Sequence, residues 1–141
     1  MSFVLDNSVA MRWFFGDGRS QELSYAESIL DAITDSKAYV PVVWNLEVCN
    51  VIARAEHRGL VTQARSDVFL SLLNDLEIEI DEASCSQALS QTLHLSRQYG
   101  LSAYDSSYLE LALRKNLPLA TLDKDLKKVA AKAGIVHFRT T

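Results

Sequence analysis

The sequence predicts a single α/β domain over residues 1–141, with three layers in which helices flank a mainly parallel central sheet of about five strands. Two observations predict this class. First, the 141-residue chain is 48% hydrophobic and 23% charged, a composition typical of one folded domain. Second, short apolar runs alternate with segments of helical period, as is typical of parallel strands joined by right-handed crossovers.

The strands are predicted from short apolar or alternating runs that end at polar residues or proline. The run 77–80 alternates glutamate with isoleucine, which indicates a half-exposed strand at the edge of the sheet. In chain order the predicted strands are 3–5, 39–40, 77–80, 118–121 and 135–138.

The helices are predicted from apolar residues spaced three and four apart and from the residues that bound them. Gly16, Gly59 and Gly100 are expected to end helices, and Thr62 is expected to cap one. In chain order the predicted helices span 8–14, 20–34, 43–57, 62–74, 84–99, 102–115 and 123–132.

The composition excludes several classes of protein. The longest uncharged apolar stretch, 38–46, has nine residues, whereas a membrane span needs about 20. Asp6 comes soon after the N-terminus and no basic run precedes it, so we expect no secretory leader and a cytoplasmic location. Cys49 and Cys85 lie among apolar or small residues, so both are expected to be buried free thiols.

The charge is divided unevenly along the chain. Residues 1–113 hold seven Lys/Arg and 16 Asp/Glu, a net charge of −9. Residues 114–141 hold seven Lys/Arg and two Asp/Glu, a net charge of +5. An acidic body with a basic C-terminal stretch permits a phosphate-contacting edge beside an acidic site.

Four acidic residues stand apart from the dispersed surface acids. Asp6 and Asp123 lie at or just beyond the carboxyl ends of predicted strands, where parallel sheets bind ligands. Glu47 lies on a largely apolar helical stripe, and Asp105 lies in the first turn of a helix. Because an unpaired buried carboxylate costs several kcal/mol, Glu47 is the hardest of the four to explain as a structural residue.

Helix capping is the structural alternative for three of these acids. Asp6 and Asp123 each precede a predicted helix, and Asp105 stands three residues after Ser102, the spacing of a capping box. Taken together, however, clustered carboxylates raise one another's pKa unless a cation lies between them. Mg²⁺ binds through one or two carboxylates with water and substrate phosphate, so the set favours metal-assisted phosphodiester hydrolysis.

Four segments carry these acids in a characteristic order. They are Leu5-Asp-Asn-Ser8, Trp44-Asn-Leu-Glu-Val-Cys-Asn50, Ser102-Ala-Tyr-Asp-Ser-Ser-Tyr-Leu-Glu110 and Thr121-Leu-Asp-Lys-Asp-Leu126. They resemble the four acidic motifs of PIN domains, and are most similar to those of VapC-type toxins from type II toxin–antitoxin systems. In the last segment we prefer Asp123 as the motif acid and keep Asp125 as an auxiliary ligand.

The resemblance implies a PIN-like fold and an endoribonuclease that depends on Mg²⁺ or Mn²⁺. It implies that Asp6, Glu47, Asp105 and Asp123 are the catalytic residues and hold the metal, and that metal-activated water hydrolyses RNA phosphodiester bonds. It also implies a VapB-type antitoxin as partner, a homodimer and a toxin–antitoxin hetero-oligomer. Operator DNA would be bound by the antitoxin and not by this chain alone.

Substrate contacts are predicted around the acids, each beside a structural alternative. Ser8 matches a hydroxyl position of the family motif, and its alternative is an ordinary serine at the start of a helix. Asn50 shares a helix face with Glu47, and its alternative is a polar contact in the core or at a cap. Arg12, Lys124 and Lys128 are candidates to bind RNA phosphates. The alternative for each is a side chain on a solvated helix face. For Lys127 and Lys132 the solvated face is the preferred interpretation.

Other classes fit the sequence less well. A receiver-type signalling domain needs adjacent acids after its first strand, but Asn7 follows Asp6, and the candidate phosphorylation site Asp81 ends a predicted edge strand. A phosphatase with an aspartate nucleophile needs a second Asp where Ser8 stands. A non-catalytic binding module of PIN-like fold is the main alternative.

Overall fold

The computed structural model describes residues 1–140 as four strands and eight helices. The strands are β1 (Ser2–Leu5), β2 (Lys37–Pro41), β3 (Ile78–Asp81) and β4 (Leu119–Ala120). The helices are α1 (Asn7–Phe15), α2 (Ser20–Ala32), α3 (Trp44–His57), α4 (Gln63–Asp75), α5 (Ala83–Gln87), α6 (Leu93–Tyr99), α7 (Ala103–Lys115) and α8 (Lys124–Lys132). A π-helical turn, Ala88–Thr92, joins α5 to α6 and interrupts the helix predicted over 84–99.

The four strands form one parallel sheet in the order β3-β2-β1-β4. This confirms the predicted α/β class and places β3 at an edge. The first three strands are laid down in one direction across the sheet, and β4 then pairs on the other side of β1. The direction of winding therefore reverses between β1 and β4. In such sheets ligands bind beyond the carboxyl ends of the strands at that point.

The fifth predicted strand, 135–138, is reduced to one bridge. His137 pairs with Leu119, the Leu119 N–H donates to the Val136 carbonyl at 3.0 Å, and the Phe138 N–H donates to the Leu119 carbonyl at 2.8 Å. Because β4 is only two residues long, it offers too short an edge for a longer ladder. The Phe138 ring nevertheless stacks on Phe3, with 4.2 Å between centroids, and holds the segment against the sheet.

The core is built around β1 and α7. Phe3, Val4 and Leu5 are fully buried, as expected for a central parallel strand covered on both faces. Helix α7 is buried over seven consecutive residues, 106–112, so it is enclosed on all sides at its middle. It lies against β1 and β2 and so fixes the position of its own first turn, which carries Asp105.

A buried carboxylate ties α7 to the edge of the sheet. Glu110 is 3% exposed, and its carboxylate accepts from Arg114 Nε at 2.8 Å and from Nη2 at 3.1 Å. Arg114 also pairs with Asp81 at the end of β3. Asp81 is thus ion-paired on an edge strand, which is a poor position for the phosphorylated residue of a receiver domain.

Two expectations from composition concern the burial of the cysteines and the absence of a membrane span. The prediction that Cys49 and Cys85 are buried is wrong, because both are free but exposed thiols. Cys49 lies on α3 among apolar neighbours in sequence, yet its side of the helix faces away from the core. Among residues 1–140, no helix is long and apolar enough to cross a bilayer.

Candidate active site

Asp6 lies at the point where the winding of the sheet reverses. It directly follows β1, and its backbone N–H donates to the Ala120 carbonyl of β4 at 2.9 Å. Although Asp6 occupies the position before α1, its side chain makes no capping hydrogen bond, so the capping interpretation is wrong for this residue. The side chain is only 5% exposed. Some other interaction must therefore compensate for burying this carboxylate.

Two hydroxyls supply that compensation. Ser8 Oγ donates to Asp6 Oδ2 at 2.6 Å, and Thr121 Oγ1 donates to the same oxygen at 2.7 Å. Each hydroxyl accepts in turn from a backbone N–H of the fourth motif, Ser8 from Leu122 at 2.9 Å and Thr121 from Asp123 at 3.0 Å. The chain after β1 is thereby joined to the chain after β4.

The pKa of Asp6 is raised by burial in spite of these hydrogen bonds. The bonds from Ser8 and Thr121 lower it, and the charge of Asp123 raises it further. An acid held in this way is available to a cation, because a nearby positive charge restores its ionised form.

Glu47 is held by a buried phenol. It lies in the first turn of α3, and its Oε1 accepts a hydrogen bond from the hydroxyl of Tyr108 on α7. Burial raises the pKa of Glu47, the Tyr108 hydrogen bond lowers it, and the charges of Asp6 and Asp105 raise it again. The Tyr108 hydrogen bond thus compensates in part for the burial of this carboxylate, whereas its acidic neighbours oppose its ionised form.

Asp105 and Asp123 differ in how far helix capping explains them. Asp123 Oδ1 accepts from the Leu126 N–H at 3.0 Å, so this acid does cap α8. At Asp105 the cap is Ser102, whose hydroxyl accepts from the Asp105 N–H at 3.1 Å. The pKa of Asp105 is raised to about 6 by burial and then by the charges of Asp6, Asp123 and Asp125.

The four predicted acids and Asp125 therefore act on one another electrostatically. Within residues 1–140, however, no three His, Cys, Asp or Glu side chains are grouped closely enough to enclose a metal ion by themselves. The site offers separate carboxylate oxygens beyond the carboxyl ends of β1 and β4, the kind of donor that Mg²⁺ uses one or two at a time with water. These donors fit a hard divalent cation that keeps part of its hydration shell.

Asn7 offers a further oxygen beside these acids. In the described part of the chain, Asn7 Oδ1 is buried without a hydrogen-bond partner, and Asn7 lines a cleft with Glu47, Asn50 and Tyr104. A buried acceptor without a partner costs about 1–3 kcal/mol. A hydrated cation in this cleft would supply the missing donor. Asn50 lies in the wall of the cleft beside Glu47, as its predicted position on α3 requires.

The basic candidates lie in unlike surroundings. Arg12 pairs with Asp17 at 3.2 Å and with Glu22 at 3.3 Å, so its guanidinium joins α1 to the start of α2. The prediction that it contacts RNA gains no support from this pairing. Lys124 and Lys128 are both exposed on α8, directly after the acid that caps this helix. Their contacts with RNA stay predictions.

Sequence reasoning missed three side chains of this site: Asn7, Tyr108 and Thr121. The signal for Thr121 was present, because it stands two residues before Asp123 after a strand, as Ser8 stands two after Asp6. Tyr108 stands three residues after Asp105, on a helix whose first turn was already suspected. Its contact with Glu47 spans 61 residues and has no local signal.

Comparison with known proteins gives a consistent family. The sequence model described as "PIN domain" matches residues 3–132. Ribonuclease VapC3 of Pyrobaculum aerophilum is 26% identical over 128 residues, which are 89% of this chain and 92% of the relative.

Two solved structures show the same fold at low identity. A chain of VapBC2 from Rickettsia felis, bound to a DNA fragment from the promoter, has a TM-score of 0.63 at 15% identity and 98% coverage of both chains. A chain of a toxin–antitoxin complex from Klebsiella pneumoniae has a TM-score of 0.57 at 21% identity, over 87% of this chain and 88% of that one.

Thr121→Val removes the donor to Asp6 and the acceptor for the Asp123 N–H while nearly keeping the side-chain volume. We expect a loss of about 1–2 kcal/mol in the free energy of unfolding, measured by urea denaturation. Thr34→Val is the matched control, because its exposed hydroxyl bonds only the Asp31 carbonyl and its loss should cost within about 0.5 kcal/mol. Equal losses in the two variants would contradict the role given to Thr121.

The raised pKa of Asp105 predicts that the free energy of unfolding depends on pH. Since its pKa is raised to about 6 from 3.8, the folded state binds this proton more tightly than the unfolded chain does. The contribution of this proton to the free energy of unfolding is fully present below the pKa of Asp105 in the unfolded chain. It is lost as the pH rises through about 6, the pKa in the folded state. Asp105→Asn should therefore raise the free energy of unfolding at neutral pH by about 1 kcal/mol, and by much less in acid.

The measurement is urea denaturation across this pH range, with EDTA present so that no metal masks the repulsion. Asp35→Asn, an exposed acid in a loop, serves as the control and should leave the pH profile unchanged. A gain for Asp105→Asn that is no larger at neutral than at acid pH would refute the assignment.

Proposed function

The chain belongs to the PIN domain family, and we propose that it is a metal-dependent endoribonuclease that acts as the toxin of a VapBC-type toxin–antitoxin pair. The matched region, 3–132, contains all four acidic segments. The relative named Ribonuclease VapC3 supports the nuclease class, and the toxin–antitoxin complexes of the same fold support the biological role.

The observation that carries this proposal is the position of Asp6. A nearly buried carboxylate lies where the winding of the sheet reverses, fixed by two hydroxyls and surrounded by the charges of other acids. Helix capping does not explain it, because its side chain caps no helix. Concentrated negative charge of this kind destabilises the fold unless a cation binds there.

The cation would be held by Asp6, Glu47, Asp105 and Asp123, directly or through water, with Asp125 as an auxiliary group. The oxygen donors suit Mg²⁺ or Mn²⁺. When bound, such an ion supplies Lewis-acid chemistry, neutralising charge on a phosphate and lowering the pKa of water.

The chain's own residues orient the acids for this task. Ser8 and Thr121 both bind Asp6 Oδ2, which fixes the orientation of the Asp6 carboxylate. Tyr108 directs the Glu47 carboxylate, and the Leu126 N–H occupies one oxygen of Asp123. Groups fixed in advance need little rearrangement when an RNA phosphate arrives.

The proposed role brings further proposals with it. A VapB-type antitoxin would keep the enzyme inactive, and the toxin would form a homodimer and larger assemblies with the antitoxin in the cytoplasm. The DNA in the Rickettsia felis structure is bound by a VapBC2 complex. We expect no operator binding by the present chain alone, because its net charge is −4.

Cleavage of RNA by the purified, antitoxin-free chain tests the proposal. Total bacterial RNA is incubated with protein in Mg²⁺, Mn²⁺ or EDTA, and the ends of any fragments are mapped. We expect discrete cuts with metal and none in EDTA. Asp6→Asn should lower the rate by about 100-fold or more while keeping the circular dichroism spectrum, whereas the exposed-site control Asp35→Asn should cut normally.

Three results would count against this function. Metal-independent cuts, or equal rates for Asp6→Asn and the wild type, would remove the acidic site from the reaction. Binding of Mn²⁺ and RNA without any cleavage would favour the non-catalytic PIN-like binding module.

A further inference from the structure

A second cleft, of about 560 Å³, lies beside the acidic site and is lined by positive charge. Four cationic side chains from three separate parts of the chain line it: Arg19, Lys124, Lys127 and Arg139. Over residues 1–140 none of the four forms an ion pair. In a chain with a net charge of −4, four such cations around one cleft create a local attraction for anions.

The one acid in the wall of this cleft, among the described residues, is already occupied. Glu22 Oε1 accepts from the Arg19 backbone N–H at 3.1 Å, and its Oε2 pairs with Arg12 at 3.3 Å. Its charge acts on Arg12 and on Arg19, so of the four cations of the cleft it offsets part of the charge of Arg19. His137, also in the wall, adds no charge near neutral pH, because burial and the charges of Lys127 and Arg139 lower its pKa to about 4.

The cleft and the acidic site share a wall. Thr121 and Leu122 line the cleft, and these residues make the hydrogen bonds to Asp6 and Ser8. The two sites are therefore adjacent, with Thr121 and Leu122 between the cleft and the Asp6 carboxylate. The short bridge between Leu119 and His137 brings Arg139 to this place.

We propose that this basic cleft binds the phosphates of the RNA strand next to the bond that is cut. The inference rests on the proposed nuclease function and adds Arg19, Lys127 and Arg139 to its binding surface. A polynucleotide carries one negative charge at each residue, so one phosphate can occupy the acidic site through a cation while its neighbours meet the cleft. The proposed nuclease function favours RNA over an acidic peptide as the occupant, and the competition experiment below distinguishes the two.

RNA binding without cleavage provides the test. The probe is a short fluorescein-labelled single-stranded RNA of mixed sequence, titrated with protein in EDTA and followed by fluorescence anisotropy at several salt concentrations. The double variant K127Q/R139Q removes two cations of the cleft. Its matched control, R97Q/K132Q, removes two exposed cations outside it, one of them on the same helix as Lys127.

We expect K127Q/R139Q to weaken RNA binding roughly tenfold relative to R97Q/K132Q. The slope of log K against log salt should become less steep by about 0.7 for each RNA phosphate that the variant no longer neutralises. Equal affinities and slopes for the two variants, or no RNA binding by the wild type at low salt, would overturn the inference. Because EDTA prevents metal-dependent cleavage, neither result decides whether the chain is a nuclease.

A competition experiment separates RNA from the other acidic polymer. Polyglutamate of matched charge is added to the complex of wild-type protein and labelled RNA. We expect displacement only at concentrations well above those of unlabelled RNA. Equal displacement by the two polymers would show a general surface for acidic chains, such as a protein partner, and would also overturn the inference.

Discussion

The hydrogen bonds that Ser8 and Thr121 donate to one oxygen of Asp6 are the constraint on which the site depends. They hold a carboxylate that is 5% exposed. The same hydroxyls accept backbone N–H groups of Leu122 and Asp123, so the ends of β1 and β4 are fixed together. The backbone ladder pairs the two strands, and this pair of hydroxyls adds a fixed orientation for the Asp6 carboxylate at their ends.

The electrostatics of the site oppose its stability. Burial and neighbouring acids raise the pKa of Asp6, Glu47 and Asp105 together. The fold compensates elsewhere, through a central strand that is fully buried and through the carboxylate of Glu110 held by Arg114. Such an arrangement is expected where function requires concentrated charge, since a cation then recovers the energy that repulsion costs.

Local patterns in the sequence were sufficient for four strands of the sheet and for placing Asp6 and Asp123 beside strand ends. The strand that ends at Asp6 is short, apolar and followed by polar residues, and the strand before Asp123 has the same form. Long-range contacts were not predictable in this way: the Tyr108 bond to Glu47, the pairing of Arg12 with Glu22, and the exposure of Cys49 each depend on how helices pack. The prediction of a fifth strand is wrong because β4, its pairing partner, is only two residues long.

Titration calorimetry of Mn²⁺ into the RNA-free protein tests most directly whether the acids form one cation-binding cluster. The account predicts that the wild type and the exposed-site control Asp35→Asn bind the ion with equal affinity. It predicts roughly tenfold weaker binding by Asp105→Asn. The reason is that the negative charge of Asp105 in the wild type interacts with those of Glu47 and Asp6, and the variant lacks it. Binding of Mn²⁺ by Asp105→Asn as tightly as by the wild type would contradict it.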